Sequence, residues 1–572
     1  MDKEIILSSL ADIICNKEDI SSSLSTDKWQ SMEFSAGGIS GNMLVAGEMC
    51  HPKDLTLKPN LVGWYKIFVA TINLKSTNYF CMRLSSDEGF SGMRDPFYGK
   101  KFMWTPLEYA EEFFWKCACL TDEDIIISKP DSHFKNTCSV AWLRFVPMTE
   151  EEIEAFKNQK GDSSVHVHFD EDLNAEDSLD SNEALLTRIA MIKGTDAGEC
   201  SLEISFDYDT PEIDAAPTLL ANDLGWYKGD SEFQKVKEHA YRLRIDFLHQ
   251  NGIKAFAANR MSVTEFTPPY TNFQWAYKCF VRNHPEYYCT LRDGSSIAVC
   301  SYAFPEVRRY VIDTLLSFMK FGFDGLTLIF HRGLHIGFEK PVVDAFNEKY
   351  PGIDPFTLPV TDKRLNGVFG EFMTEFMSEL RCELSEKYGS DKKINVVVDF
   401  SPETSKHFGL DIESWARLGL IDEVCQGIME MYENLEGTLD ENGKIILEKY
   451  REKLKSEPVL CRYHDTDLEK AVNSAKEHLK ICKKYGVEFY AALPWPHKIA
   501  PKEYEPYRKA FADIGVTKFL SWNTNHLLYD LPEAHTALSP SLATEEMIEA
   551  KRYRVTSLAG SNIGIFNPNW RG

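Results

Sequence analysis

From Val165 onward the chain repeats one pattern, a short apolar strand followed by an amphipathic helix, and this alternation restricts the fold more than any other feature. Eight strand candidates can be counted: Val165 to Asp170, Leu202 to Asp209, Lys254 to Asn259, Leu326 to His331, Ile394 to Phe400, Glu423 to Met429, Glu488 to Leu493 and Lys518 to Asn523. Helical periodicity fills most of the gaps, as in Phe233 to Gln250, Glu306 to Lys320, Phe369 to Tyr388 and Leu468 to Tyr485. Eight such units over about 400 residues fit an α/β fold of the (β/α)8 TIM barrel type with enlarged loops, covering residues 165–572. A doubly wound sheet is the alternative, and the regularity of eight units disfavours it.

The best defined unit is GFDGLTLIFHRG, residues 322–333. Its strand is apolar enough to be buried on both faces, as a parallel strand covered by helices is. His331 and Arg332 then stand at its carboxyl end. That end of a parallel barrel strand faces the loops where ligands bind, so both are candidate site residues. Asp324 precedes the strand, on the opposite and structural end, and is set aside.

Counting each strand in steps of two separates its faces. In the first, Val165, Val167 and Phe169 turn outward while His166, His168 and Asp170 turn inward. In the second, Glu203, Ser205, Asp207 and Asp209 share the inward face. The same count sends Asn259, His331, Asp399, Gln426 and Asn523 inward. Carboxylates, imidazoles and amides gathered at one barrel mouth are costly unless paired or used, so the group reads as a functional site.

The first 150 residues have a different texture. Trp64 to Leu74, Tyr79 to Leu84, Ile125 to Ile127 and Ser139 to Val146 are short runs rich in β-branched and aromatic residues, separated by Gly, Pro, Asn and Asp. They predict a β-sandwich over residues 1–150, carbohydrate-binding or structural, with a helix-like insertion at Leu107 to Trp115. Thr149 to Asp162 reads as a charged helix and linker, so residues 151–164 form the boundary.

Charge narrows the partners. With 63 Lys and Arg against 87 Asp and Glu, the net charge of -24 repels phosphate backbones and anionic lipid surfaces, so neither nucleic acid nor membrane is expected. The amino terminus lacks the basic start of a secretory signal, and no stretch reaches transmembrane length. The 14 cysteines include no CxxC pair, which suits reduced thiols and a cytoplasmic location. No glycine-rich phosphate loop is present, so no cofactor is expected.

The segments FDED, KGTDAGECSLEISFDYD and YAFPEVRRYVIDTLLSFMKFGFDGLTLIFHRG together resemble the glycosyl hydrolase-like (β/α)8 proteins grouped near family 10 glycoside hydrolases. The likeness covers roughly residues 165 to 525 and is strongest where PEVRRYV leads into GFDGLTL. Many such proteins end the fourth strand on an acidic residue, where this chain has His331 and Arg332. The resemblance implies a carbohydrate-active enzyme with a carbohydrate substrate.

Glycoside hydrolysis needs one carboxyl group to protonate the leaving oxygen and a second to attack or to activate water. Asp170, Asp207, Asp209, Glu339 and Asp399 are the candidates. Asp399 closes the apolar strand VVVD, and its expected partner is Asp207 or Asp209 across the mouth. Trp495 and Trp522, at the ends of strands seven and eight, offer flat faces for a sugar ring, with Asn523 beside them for hydroxyls. Asn259, Arg260 and Arg332 are candidate substrate contacts, and an arginine fork suits an acidic sugar as well as a barrel carboxylate.

Two rivals remain. His166 and His168 form an HxH at the end of strand one, the arrangement with which amidohydrolase-type barrels begin a metal site. Later strands offer no further histidine on five or six, so the set is incomplete and no metal is expected. A non-catalytic sugar-binding barrel is the other alternative.

Overall fold

The computed structural model describes residues 3–23, 25–72, 78–94, 109–130, 137–170, 181–204, 231–264, 279–331, 333–432, 435–456, 460–463, 467–495, 498–528 and 530–558. Asp207, Asp209 and Arg332 lie outside them.

Eight parallel strands close into a barrel: β1 (Val165–Phe169), β2 (Ala197–Glu203), β3 (Lys254–Arg260), β4 (Gly325–Ile329), β5 (Lys393–Val398), β6 (Glu423–Gln426), β7 (Glu488–Ala492) and β8 (Phe519–Ser521). Closure is made by β1 against β8, with Val165 opposite Phe519 and Val167 opposite Ser521. Seven strands lie where the sequence places them, the second begins earlier than its expected span, at Ala197, with residues 205–209 of that span outside the described residues, and helices such as Ser231–Gln250, Pro305–Phe318, Lys363–Tyr388 and Leu468–Tyr485 cover the barrel. The outward residues of the strands, among them Val167, Leu202, Ala257, Leu328, Val396 and Val424, form one buried core with those helices. The inward residues Ala258, Ile329, Val397, Cys425, Tyr490, Ala492, Leu520 and Trp522 form a second, separate cluster inside the barrel.

This division corrects three expected orientations. Ala258 points inward, so Asn259 points outward and Arg260 inward. Gln426 also faces out, donating to the carbonyls of Phe400 and Ala471 at 3.4 and 3.3 Å. On β8 the inward residue is Leu520, followed on the same face by Trp522 just past the strand, and Asn523 has left the strand with left-handed backbone, φ 50°. In each case the count was off by one position, and with a period of two that reverses the face.

Residues before the barrel form two sheets. The larger holds Ile5–Leu7, Trp142–Pro147, Trp64–Ile72, Tyr109–Cys119, Lys551–Leu558, Trp29–Ala36, Ile39–Ala46 and Cys138–Val140 in spatial order, and the smaller holds Leu55–Leu57, Ile125–Ser128, Tyr79–Leu84 and Ser91–Arg94. Leu44, Ile67, Val69, Phe113 and Phe145 of the first meet Leu55, Phe80, Met82 and Ile125 of the second in a sandwich core. The expected helix at Leu107 to Trp115 is instead the long strand Tyr109–Cys119, paired along Trp64–Ile72 on one side and Lys551–Leu558 on the other. Its helix-forming Glu-Glu pair is overridden by that pairing. Residues 551–558, counted with the barrel segment in the sequence, thus add a strand to the amino-terminal sheet. The linker helix is Glu150–Asn158, started by a capping box in which Thr149 Oγ1 accepts from Glu152 N–H and Glu152 accepts from Thr149 N–H at 2.8 Å.

Two glycines place β4. Gly322 ends the preceding helical turn in the left-handed region, φ 102°, and Gly325 sits where a Cβ would fall 2.4 Å from the Lys393 carbonyl oxygen and 2.9 Å from the Phe256 ring. Gly325→Ala is therefore expected to lower stability by about 1–3 kcal/mol through overpacking. Urea denaturation read by circular dichroism checks this, and an unchanged midpoint would contradict it.

Candidate active site

Seen along its axis, the barrel interior has a polar base, an apolar belt and a polar mouth. At the base, His166 Nδ1 lies 3.2 Å from Glu199 and its Nε2 lies 2.6 Å from Ser201 Oγ, which in turn bonds Thr327 at 2.7 Å. Tyr490 donates to Glu199 at 2.7 Å, Asn395 Nδ2 donates to Glu423 at 3.1 Å, and Lys393 pairs with Glu423. Lys254 and Lys518 hold Glu199 and Glu488 at 3.4 and 3.0 Å. Burial and the neighbouring Glu199 charge push Glu423 up to about 7. Burial acts against ionisation of Glu199 too, but the bonds from His166 and Tyr490 and the Lys393 charge hold it well below the carboxylate range. The base is a closed set of paired charges, which is how charges persist in a barrel core. His166 belongs to it rather than to the mouth.

The mouth is built from strand ends. Arg260, inward at the end of β3, donates from Nε to Glu203 at 2.7 Å and from Nη2 to Asp170. These partners stand on three adjacent strands, so the guanidinium ties β1, β2 and β3 together at the rim. Desolvation and the nearby Asp170 push Glu203 up to about 8, despite the opposing pull of Arg260. Asp170 behaves oppositely: burial would raise it, but Arg260 and a hydrogen bond from Glu203 keep it ionised far below the usual range. Asn525 Oδ1 accepts the Asp170 backbone N–H at 3.2 Å and fixes the start of that loop. One carboxyl is thus held protonated beside another held charged, the division of labour that acid–base chemistry requires.

Around this pair stand rings. His168 is fully buried and lies flat on Trp522, centroids 3.8 Å apart and planes within 5°, with Nε2 3.7 Å from Glu203. Burial drives its protonation down to about 3, so the imidazole is neutral. His331 meets the same indole edge-on at 4.4 Å. Trp495 packs against the interior cluster at the rim. Asp399 follows inward-facing Val397 by two residues at the end of β5 and is 2% exposed.

The structure therefore brings together Asp170, Arg260, His168, His331, Trp522, Trp495 and Asp399 at one end of the barrel. Glu339 is elsewhere. Its carboxylate accepts from the N–H groups of Gly337 and Thr290, both at 3.0 Å, and its neighbours Ile336 and Val342 pack in an outlying cluster with Phe346 and Leu365. It clasps the loop after β4 to the hairpin strand Tyr288–Thr290. Asn259 is buried on the outward face, and Asn523 precedes the short helix Thr524–Leu527 without a side-chain capping bond.

Glu203 was on the inward face in the sequence count but was not singled out as a candidate. The signal was present: Glu199, Ser201 and Glu203 continue the inward alternation backward through Ala197–Ser201, a stretch whose lack of β-branched residues hid the start of the strand.

No family model matches the chain, and no curated protein matches it. Among solved structures, it is similar to the glycoside hydrolase domain of PgaB (BpsB) from Bordetella bronchiseptica, at 13% identity over 66% of this chain and 98% of that one, with TM-score 0.41. The α-galactosidase from Thermus thermophilus gives 12% identity, 90% and 95% coverage and TM-score 0.33. The GH26-CBM35 β-(1,4)-mannanase of Podospora anserina gives 7%, 96%, 100% and 0.27. These distant likenesses speak to the fold alone. They are to glycoside hydrolase barrels, not to family 10 in particular.

The Glu203 shift has a sign that can be checked. Its folded value of about 8 exceeds the unfolded carboxyl value of about 4.3, so the folded state holds the extra proton between those limits. Its contribution to stability is complete below the lower limit and is lost as pH rises through about 8. Glu203→Gln cannot ionise, so its melting temperature relative to wild type should rise between pH 5 and pH 9. Calorimetry across that range tests this, and a constant difference would mean that Glu203 is not held protonated.

Proposed function

We propose that the protein is a glycoside hydrolase of small glycosides or oligosaccharides, with Glu203 as general acid and Asp399 as nucleophile or base. The observation that carries this reading is the pair of carboxyls, Glu203 and Asp170, bound to one guanidinium beside the stacked His168 and Trp522, where burial pushes Glu203 toward its protonated form and Arg260 holds Asp170 charged. Asp170 and Glu203 are bound to the same guanidinium, so they stand too close to flank a glycosidic bond, which takes carboxyl groups about 5 to 9.5 Å apart. Asp170 then serves to hold the proton on Glu203. The second working carboxylate has to come from another strand, and Asp399 on β5 is separated from β2 by β3 and β4 around the ring. Asp207 and Asp209, the partners that the sequence offers for Asp399, lie outside the described residues. Arg260 is engaged by two carboxylates, which removes it as a fork for an acidic sugar.

The metal reading keeps one supporting observation, since His166, Glu199 and Glu423 place ligand atoms within 4.8 Å of one another. Against it, Lys393 already supplies a cation to Glu423 and lies 3.6 Å from Glu199, and His168 is turned away from His166 onto Trp522. Action in the cytoplasm on small glycosides is part of the proposal and rests on composition. No described helix is long and apolar enough to cross a membrane.

A screen of aryl glycosides and oligosaccharides, with and without chelator, tests the proposal. Hydrolysis of at least one substrate that survives the chelator is expected, with the alkaline limb of the rate profile near pH 8. Loss in chelator restored by Zn²⁺ or Mn²⁺ would promote the metal reading instead. Glu203→Gln and Asp399→Asn should each lower kcat by about 10² or more, and the Glu203→Gln loss should shrink on substrates whose leaving group needs no proton. Near-wild-type turnover of natural glycosides by either variant would remove that residue from its role.

A further inference from the structure

The least explained groups in the barrel are the ring nitrogens of the stacked pair His168 and Trp522. His168 is 0% exposed and Trp522 2%, yet His168 Nδ1, His168 Nε2 and Trp522 Nε1 have no hydrogen-bond partner. Buried polar groups are almost always satisfied, and three on one stacked pair is an expensive arrangement to keep in a core. The other buried imidazole at strand one shows the contrast, since both nitrogens of His166 are engaged by Glu199 and Ser201.

The chemistry of these atoms selects what would satisfy them. A neutral imidazole presents one N–H donor and one bare acceptor nitrogen, and an indole presents one N–H donor. The acceptor nitrogen needs a donor from the ligand while the two N–H groups need acceptors. A carboxylate or phosphate can accept but cannot donate, so it would leave the acceptor nitrogen of His168 bare. A hydroxyl group does both, and a ring with several hydroxyls does so at several points.

We infer that the His168 and Trp522 pair is the specificity-determining floor of the mouth, built to bind the hydroxyls of an uncharged sugar and to reject its uronic acid counterpart. This rests on the hydrolytic reading of the same site and adds its substrate class. Glu203, 3.7 Å from His168 Nε2, then borders the bound sugar.

The test is equilibrium binding to the full chain, by tryptophan fluorescence and isothermal titration, of glucose, galactose, mannose, xylose and N-acetylglucosamine, each up to about 100 mM, against glucuronate and galacturonate. At least one neutral sugar is expected to bind, with uronates weaker by about tenfold or more. His168→Phe keeps the ring stack and removes both nitrogens. It should weaken that sugar by about tenfold or more, and Trp522→Phe should weaken it too, while the melting temperature of His168→Phe stays level or rises because the unsatisfied groups are gone. Absence of neutral-sugar binding, uronates binding as tightly, unchanged affinity in both variants, or a lower melting temperature or failed folding of His168→Phe would each overturn the inference. The last result would mean that the nitrogens are satisfied within the folded protein itself. Sugar binding without any glycoside hydrolysis would leave the inference standing and remove the hydrolytic reading. Hydrolysis with indifference to His168→Phe would do the reverse.

Discussion

Arg260 is the interaction on which the mouth depends. A closed barrel of eight strands turns alternate side chains into a space with little water, so each charge that points inward must find its opposite. Arg260 meets that demand twice, binding Glu203 at the end of the adjacent β2 and Asp170 just past the end of β1, one strand further round. The consequence is chemical as well as structural: two carboxyls and one guanidinium leave room for one proton, and it settles on Glu203. The charged base solves the same problem differently, with Lys254, Lys393 and Lys518 set against Glu199, Glu423 and Glu488. Between the two polar ends, the belt of Ala258, Ile329, Val397, Cys425 and Leu520 separates them.

The barrel was legible because its outward strand faces are apolar and its helices periodic, so every strand announced itself. The beginning of β2 did not, since Ala197-Gly-Glu-Cys-Ser carries no β-branched residue. Facing was harder to read than existence. In β3, Ala255, Ala257 and Ala258 are small on both faces, so the alternation gives no phase, and Asn259 was assigned to the wrong side. In the amino-terminal sheets, Tyr109–Cys119 looks helical by local composition, and its partner Lys551–Leu558 comes from the far end of the chain.

His168, His331 and Asp399 are legible as mouth residues because each stands at an inward strand end, and Trp522 because it is an aromatic at the end of strand eight, although its inward facing is not read from the alternation. The Arg260 bridge was not. Its partners lie 57 and 90 residues away, and no local pattern says which of several inward carboxylates an arginine will meet. Without that pairing Arg260 reads as a substrate contact, and Glu203 as one acid among many.

The most direct measurement of the account is the ionisation of Glu203 itself, followed by NMR of protein carrying [13C]carboxyl-labelled glutamate. A carboxyl resonance that titrates near pH 8 and is missing from Glu203→Gln is the expected result. If the Glu203 resonance instead titrates near its unfolded value of about 4.3, the group is charged at neutral pH and cannot be the acid of this site.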